Sequence, residues 1–491
     1  MLPPPRRTRL RSTTPRRRSG TAARIAATAA LVASLAAGCA GGSEATAPAA
    51  TDLVPVPAPA PPGSAAPAST TTTTTPWTPT TTTTPPAVAA GPCLGGAGVA
   101  TTPGATDPAA AAAAQERLAP ALDELRRAGG TVGVSVWLDG VGEVAANEPR
   151  TPLVPASNQK LFVAAAALEL LPADLTFTTD VVATGPVVAG VVQGDLVLVG
   201  GGDSTLTRSG PHSLDELATR VEASGITAVA GSLLVDEDRY DRVRTGDGWV
   251  DGAWQQSNVG LLSALVVDRN RAYADPTFAA DPALAYLAAF RASLAGSGVT
   301  VAGPDAHGSG RSGERVASLT SAPLPDHLTA MLAKSDNLAS ELLLKEIGWR
   351  TSGVGSSAAG AEAGRSAITA RCVALDGTDA DGSGLSRTDS RSADAWRRLL
   401  DAARTRPWFA TYRDALAVSG RSGTLTTRLT DPDVAGRIQA KTGSTAVSGA
   451  LSGYLTTASG RTAVFSIVVN QPRGAPEPAL DAFAAALVRE L

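Results

Sequence analysis

The stretch PASNQKLFVAAAALELL, Pro155–Leu171, combines a Ser-x-x-Lys spacing with a nearly all-apolar run that is rich in alanine. Alanine and leucine favour helix, and a helix that is apolar on every side is usually buried in the centre of a domain. On such a helix Ser157 and Lys160 lie on one face, one turn apart. We therefore predict a buried central helix that presents a serine beside a lysine.

The lysine in this stretch is unusual, because the 491-residue chain has only four lysines against 38 arginines. A serine hydroxyl is a weak nucleophile until a neighbouring base takes its proton. Lysine can be that base when burial or nearby positive charge favours its neutral form, whereas arginine stays protonated in proteins. The alternative for an isolated Ser-x-x-Lys is an N-cap serine with a lysine extended along the surface.

Two further short motifs follow in the chain. Ser335-Asp336-Asn337 lies between two helical segments, and Lys441-Thr442-Gly443 lies in a predicted edge strand. The three motifs in this order resemble the set that characterises penicillin-binding proteins and class A β-lactamases. Each triplet alone is weak, but together they favour an acyl-transfer enzyme with a serine nucleophile.

Longer runs between about 115 and 491 resemble the class C low-molecular-mass penicillin-binding proteins, the D-alanyl-D-alanine carboxypeptidase/endopeptidase family. Besides the first stretch, the runs that carry this resemblance are GGGDSTLT, SALVVDRN, KSDNLASELLLKEIG, DGSGLSR (Asp381–Arg387), SGTLTTRL and AKTGSTAVSGALSGYLTTASGRTAVFSIVVN. Class A β-lactamases fit less well, since the chain has no E-x-x-x-N segment of the kind that supplies their deacylating glutamate.

The element order agrees with the α+β fold that the resemblance implies, a serine DD-peptidase/β-lactamase-like fold with a β-rich inserted domain. AAQERLAPALDELRRAG is an amphipathic helix, GTVGVSVWLDG and GEVAANEP form a hairpin, three strands near the C-terminus form a meander, and EPALDAFAAALVREL is a last helix. We predict an antiparallel sheet flanked by the first and last helices, plus a helical lobe. The DD-peptidase domain spans 108–180 and 316–491, and the insert spans 181–315.

The resemblance implies a role for each motif residue. Ser157 is the acylated nucleophile, Lys160 is its general base, and Ser335 relays a proton toward the leaving amine. Asn337 holds the peptide amide of the substrate, and Lys441 supplies positive charge near Ser335 and the substrate's terminal carboxylate.

The third motif and two other positions complete the implied substrate site. Thr442 bonds the terminal carboxylate, Gly443 lines the substrate strand, and Ser444 supplies an oxyanion-hole N–H together with that of Ser157. Ser444 stands where the family usually has threonine, which retains a hydroxyl. Arg387 and Asp251 are the candidates for reading the diaminopimelate side chain, although the insert is short for this family and its alignment needs a gap near Asp251.

The implied substrates are the peptide stems of peptidoglycan, cut after a D-alanine, with β-lactams as inhibitors. Two alternatives stay open. One is a β-lactamase or esterase on the same fold, and the other is a catalytically silent wall-binding lipoprotein. The second would be marked by loss of Ser157, Lys160 or Lys441, and all three are present.

The N-terminus predicts export to the cell envelope. Residues 1–39 place eight arginines before the short apolar run IAATAALVASLAAG and Cys39, as in a secretory signal. LAAGC also resembles a lipobox, with Ala36 where leucine is usual, so Cys39 is either lipidated as a membrane anchor or near a plain cleavage site. Residues 40–92 are an Ala/Pro/Thr-rich tether that is predicted to be disordered.

Composition excludes other classes of function. Aromatic residues make up 4% of the chain and the net charge is −3, which gives no basic surface for a nucleic acid. Three histidines and three cysteines lie far apart, so we predict no metal site and no cofactor. Cys93 and Cys372 follow the tether, and in an exported protein such a pair is either bridged, as we favour, or free.

Overall fold

The computed structural model describes residues 106–249, 259–270 and 281–491. The predictions for the signal, the tether, Cys39, Cys93 and Asp251 lie outside these residues. The helices are α1 (Pro108–Arg127), α2 (Gln159–Leu170), α3 (Leu214–Ala223), α4 (Pro282–Gly296), α5 (Leu324–Ala333), α6 (Asn337–Ser352), α7 (Ser357–Thr369), α8 (Ala393–Ala403), α9 (Phe409–Asp414) and α10 (Glu477–Glu490).

The strands belong to three sheets. They are β1 (Thr131–Leu138), β2 (Gly142–Asn147), β3 (Thr178–Ala183), β4 (Val187–Val188), β5 (Val191–Val192), β6 (Leu196–Val199), β7 (Ala228–Val229), β8 (Leu233–Asp236), β9 (Thr300–Val301), β10 (Asp305–His307), β11 (Glu314–Thr320), β12 (Ala417–Val418), β13 (Ile438–Thr445), β14 (Ser448–Thr456) and β15 (Thr462–Asn470).

A six-stranded antiparallel sheet joins the first and last parts of the chain, in the order β12-β13-β14-β15-β1-β2. The predicted hairpin and the predicted C-terminal meander are both confirmed. In the meander, Lys441 pairs with Ser452, and Ser452 pairs with Ser466. Alternating side chains point to opposite faces of a strand, so β14 and β15 each contribute side chains to two cores.

One face of the sheet is covered by α1 and α10. Asp107 caps α1 by accepting hydrogen bonds from the N–H groups of Ala109 and Ala110, at 3.1 and 3.0 Å. Leu118 and Leu125 of α1 share a buried cluster with Phe483 of α10. These residues recur at helical spacing, which is why the sequence predicts both helices as flanks of the sheet.

The other face packs against the helical lobe, with α2 at its centre. Nearly all of α2 is buried, as its apolar composition predicts. Its alanines let neighbouring helices approach closely. A Cβ on Gly364 of α7 would lie 2.8 Å from the Ala166 Cβ and 3.0 Å from the Phe162 ring, so this crossing requires a glycine.

The insert has its own core and two small sheets. A five-stranded sheet runs β10-β8-β6-β3-β11, and a four-stranded sheet runs β4-β5-β7-β9. The prediction of a β-rich insert leaves out α3 and α4, which pack together over the larger sheet. Several strands of the insert pair in parallel, and helices connect them. This explains why helical and strand patterns alternate in this part of the sequence. The large sheet begins at Thr178 and ends at Thr320, a few residues outside the predicted insert.

A buried ion-pair cluster anchors the insert to α6. Arg239 of the insert donates to both oxygens of Glu346, at 2.8 and 2.6 Å, and Tyr240 donates to the same carboxylate at 3.0 Å. Arg350, one turn further along α6, also donates to Glu346, at 2.6 Å. Because the carboxylate is completely buried, these donors offset the cost of removing it from water.

Within the described ranges, none of the helices combines the length and the apolar character needed to cross a membrane.

Candidate active site

Ser157 lies in a single turn of 3-10 helix, Ala156–Asn158, that leads directly into α2. Ala156 has a left-handed backbone (φ 48°) and is fully buried. The loop that contains Gly384 packs closely against Ala156, because a Cβ on that glycine would lie 1.8 Å from the Ala156 carbonyl oxygen. The Ser157 hydroxyl is therefore presented from a tightly held turn at the start of the buried helix.

Lys160 is fully buried, and its Nζ lies 3.0 Å from the Ser157 Oγ. The same Nζ lies 2.7 Å from Asn337 Oδ1 and 2.6 Å from the Ser383 carbonyl oxygen. The pKa of Lys160 is lowered to about 8, mainly because burial disfavours the charged form, while nearby carboxylates oppose this effect. The predicted pairing of a serine with a lysine that can lose its proton is thus present in the geometry.

The second motif is held by an arginine from the insert. Ser335 has a left-handed backbone (φ 60°), and Asp336 caps α6 by accepting from the Ala339 N–H at 3.1 Å. Both oxygens of Asp336 accept hydrogen bonds from the guanidinium of Arg269. This fork fixes the turn that carries the Ser335 hydroxyl and the Asn337 amide.

Arg269 stands in the middle of a strained turn. Asp268, Arg269 and Asn270 have φ values of 47°, 61° and 52°, which is a left-handed turn without glycine. Each such residue costs about 1–2 kcal/mol relative to a right-handed backbone. Strain of this kind persists where the surrounding structure enforces it, and here the turn aims an arginine at the second motif.

The third motif brings a second buried lysine to the site. Lys441 Nζ lies 2.9 Å from Ser335 Oγ and 2.7 Å from the Thr442 carbonyl oxygen. The pKa of Lys441 falls well below its ordinary value, first because of burial and then because of the charge of Lys160. The charge of Lys160 thus disfavours a charged Lys441, whereas the lowered pKa of Lys160 itself comes from burial.

Strand β13 passes close to the nucleophile turn. A Cβ on Gly443 would lie 3.1 Å from the Pro155 carbonyl oxygen, so the motif glycine allows this approach. Ser444 is exposed, and its hydroxyl donates to Glu477 at the start of α10, at 2.7 Å. Thr442 Oγ1 lies 2.8 Å from Thr424 Oγ1.

The prediction of an edge strand for the third motif needs a small correction. The short strand β12 is the edge of the sheet, and it pairs with β13 only at Gln439 and Ala440. Beyond these two residues β13 pairs on one side only, so the motif itself still has one unpaired strand edge.

Of the two predicted substrate-reading residues, the structure describes one. Arg387 is exposed and directly follows the loop that contacts Lys160. Its backbone N–H donates to the Gly248 carbonyl at 3.4 Å, and the indole of Trp249 donates to Asp381 at 2.7 Å. The insert thus touches the DGSGLSR run, while Asp251 lies outside the described residues.

Cys372, after α7, is a disulfide-bonded cysteine. The other two cysteines of the chain lie outside the described residues, so pairing with Cys93 stays a prediction.

One cluster of potential metal ligands was not foreseen from the sequence. Among the described residues, Glu237, Asp281 and His307 place ligand atoms within 4.8 Å of one another. Arg244 already binds both oxygens of Glu237, at 2.6 and 2.7 Å, and His307 lies 2.7 Å from Asp281. Because the arginine compensates the acidic charge, this cluster is an ion-pair network of the insert.

Sequence reasoning missed two groups that lie next to Lys160. The Ser383 carbonyl is one, within a run that was noted only for Arg387. The other is the fully buried Glu341, which binds the backbone of that run. A signal was available for Glu341, since it is an acid within an otherwise apolar stretch, four residues after Asn337 and so on the same helix face.

Known proteins share most of this chain. The model of the D-Ala-D-Ala carboxypeptidase 3 (S13) family matches residues 115–278 and 276–489. A D-alanyl-D-alanine carboxypeptidase of Actinomadura sp. is 33% identical over 75% of this chain and 82% of its own length. Carboxypeptidase DacB of Mycolicibacterium smegmatis is 30% identical over 72% of this chain and 78% of its own length.

Solved structures share the fold. Penicillin binding protein 4 (dacB) of Haemophilus influenzae superposes with a TM-score of 0.66 at 21% identity, covering 75% of this chain and 98% of its own. A structure of the same protein complexed with a β-lactam gives a TM-score of 0.62 at 23% identity, covering 76% and 98%. The predicted α+β DD-peptidase fold is therefore confirmed, and the chain belongs to the D-Ala-D-Ala carboxypeptidase 3 family.

Proposed function

We propose that the protein is a serine D-alanyl-D-alanine carboxypeptidase/endopeptidase that cuts peptidoglycan peptide stems through an acyl-serine intermediate. The observation that carries this proposal is the buried Lys160 amine, 3.0 Å from the Ser157 hydroxyl. The family match and the Ser335–Lys441 pair on the far side of the site support it.

Acylation begins when Lys160 accepts the hydroxyl proton of Ser157 and the Oγ attacks the carbonyl carbon of the penultimate D-alanine. The backbone N–H groups of Ser157 and Ser444 are proposed to stabilise the oxyanion, and such donors contribute about 3–4 kcal/mol each. Collapse of the tetrahedral intermediate breaks the C–N bond. The proton held by Lys160 then reaches the leaving amine through the Ser335 hydroxyl.

The remaining motif residues hold the substrate. Asn337 is proposed to bind the peptide amide, while Lys441 and Thr442 bind the terminal carboxylate, and Gly443 lets the chain lie along β13. Water then attacks the serine ester and releases the shortened peptide. A cross-link and a free D-alanyl terminus present the same bond to this site, so both reactions belong to the proposal.

β-Lactams are proposed inhibitors, because they carry an acyl group and a carboxylate in the arrangement that this site binds. The related Haemophilus protein has been crystallised with one. The runner-up function, a β-lactamase or esterase, differs only in how quickly water resolves the acyl-serine.

Arg387 and Asp251 are proposed to read the diaminopimelate side chain. The support for Arg387 is its exposure beside the loop that contacts Lys160. Asp251 follows the segment Gly248–Trp249, which contacts that same run.

Export and lipidation of Cys39 are also proposed, from the signal-like N-terminus. A Cys39→Ser variant is expected to leave the membrane fraction of the host cell. Unchanged membrane association of this variant would argue against the lipid anchor.

The nucleophile is tested by intact mass after incubation with benzylpenicillin. We expect one penicilloyl adduct on the wild type and none on Ser157→Ala. Lys160→Arg cannot provide a neutral base, so its acylation rate should fall by about 10²–10⁴-fold. Rapid loss of the drug without an adduct would favour a β-lactamase. If the protein forms no adduct and does not consume the drug, the catalytically silent wall-binding protein becomes the favoured alternative.

The pH dependence of acylation tests the role of Lys160. Since its pKa is about 8, the reactive amine is present at a much lower pH than for an ordinary lysine. The second-order rate constant for benzylpenicillin should therefore rise with pH to a midpoint near 8. A rate that stays constant between about pH 6 and about pH 10 would contradict a lysine base.

The role of Arg387 is tested with a peptide stem that contains diaminopimelate. Arg387→Ala removes charged hydrogen bonds to the side-chain carboxylate and should raise KM roughly tenfold. Arg311→Ala is the control, since this arginine is equally exposed but lies in the insert. If both variants have the same KM as the wild type, Arg387 does not read the substrate.

A further inference from the structure

The loop that contacts Lys160 is held by two buried carboxylates. Glu341 accepts hydrogen bonds from the Gly382 N–H at 3.1 Å and from the Ser383 N–H at 2.8 Å. Asp381 accepts from the Gly384 N–H at 2.6 Å and from the Ser386 N–H at 2.8 Å. Four backbone N–H groups of this short loop thus donate to buried acids.

The carbonyl between these donors points to the catalytic lysine. The Ser383 oxygen lies 2.6 Å from Lys160 Nζ, and Asn337 Oδ1 lies 2.7 Å from the same atom. A neutral lysine has two N–H donors and one lone pair. If the two oxygens accept the two N–H groups, the lone pair is left for the third neighbour, the Ser157 hydroxyl at 3.0 Å.

Both acceptors depend on the same helix. Asn337, Ser340 and Glu341 occupy positions i, i+3 and i+4 of α6, so they share one face. The Ser340 hydroxyl donates to the Gly382 carbonyl at 2.6 Å, next to the two N–H groups that Glu341 binds. One face of α6 therefore positions Asn337 directly and the Ser383 carbonyl through the loop.

We propose, on the basis of the function proposed above, that Glu341 is a positioning residue for the general base. It holds the Gly382–Ser383 segment so that the Ser383 carbonyl and the Asn337 amide oxygen bind the two N–H groups of neutral Lys160. The lone pair of Lys160 is then directed at the Ser157 hydroxyl before any substrate arrives.

The electrostatics of the cluster support a second effect of Glu341. The acids around Lys160 are Asp336 at the start of α6, Glu341 within it, and Asp381 and Asp389 in the loop, and all four favour its protonated form. The cation that faces this cluster is Lys441 of β13, whose own pKa is lowered by burial and then by the charge of Lys160. Burial, followed by the charge of Asp381, raises the pKa of Glu341 to about 8, against the hydrogen bonds from the loop.

A purely structural role for Glu341 makes a different prediction. A buried acid that only anchors the loop would change the stability of the fold without changing the plateau rate of acylation. Glu346 provides a matched control, because it lies on the same helix, is equally buried, and binds Arg239 and Arg350 instead of the loop.

The experiment measures acylation of the full chain by benzylpenicillin as a function of pH, together with the thermal unfolding midpoint. For Glu341→Gln we expect the plateau rate to fall on the order of tenfold or more, since misplaced catalytic groups cost this much. The midpoint should also move to lower pH, because a negative charge that favours protonated Lys160 is gone. Glu346→Gln should lower the unfolding temperature but keep the wild-type midpoint.

Ser340→Ala separates geometry from charge and serves as the second variant should Glu341→Gln fail to fold. It loosens the Gly382 peptide without removing a charge, so the plateau rate should fall several-fold at an unchanged midpoint. A folded Glu341→Gln protein with the wild-type plateau rate would overturn the proposal, whatever its midpoint. If Glu341→Gln does not fold and Ser340→Ala does, a wild-type plateau rate for Ser340→Ala would also overturn the proposal. A wild-type protein that is never acylated would instead overturn the proposed function itself.

Discussion

The structure of the site depends on the burial of the Lys160 amine. Removing an ammonium group from water strongly disfavours its charged form, and a buried amine still needs partners for its N–H groups. Three separate segments surround the amine with polar neighbours: the Ser157 turn, the start of α6, and the loop at Ser383. The helical lobe must bring these segments together to accommodate the lysine. The same contacts therefore determine both the fold of the lobe and the environment of Lys160, the proposed general base.

The insert takes part in this arrangement through two hydrogen-bonded contacts. Arg269 binds Asp336 within the second motif, and Trp249 binds Asp381 in the loop that faces Lys160. The buried Arg239–Glu346 pair anchors the same unit further along α6. The insert therefore supports the second motif and the loop at Ser383, which gives a physical reason for the strained left-handed turn around Arg269.

The surroundings of the two buried lysines, Lys160 and Lys441, limit the positive charge that the site carries. Lys160 is surrounded by acids that favour its charged form, whereas Lys441 contacts the Ser335 hydroxyl and the Thr442 carbonyl. Burial lowers the pKa of both, and the charge of Lys160 lowers the pKa of Lys441 further. The proposed proton movement between Ser157, Lys160 and Ser335 therefore lies where small changes in neighbouring charge have large effects.

The sequence alone predicted the features that depend on local spacing. The helix at 159–170, the flanking helices, the meander and the three motifs follow from periodicities and short patterns, and all are present. Only the tertiary structure identified Glu341, the Ser383 carbonyl and Arg269 as neighbours of the site. Their contacts join residues 41 to 223 positions apart, and two of them involve backbone atoms, which no residue pattern records. Such placements are decided by how the helices, the loop and the insert pack around one buried lysine.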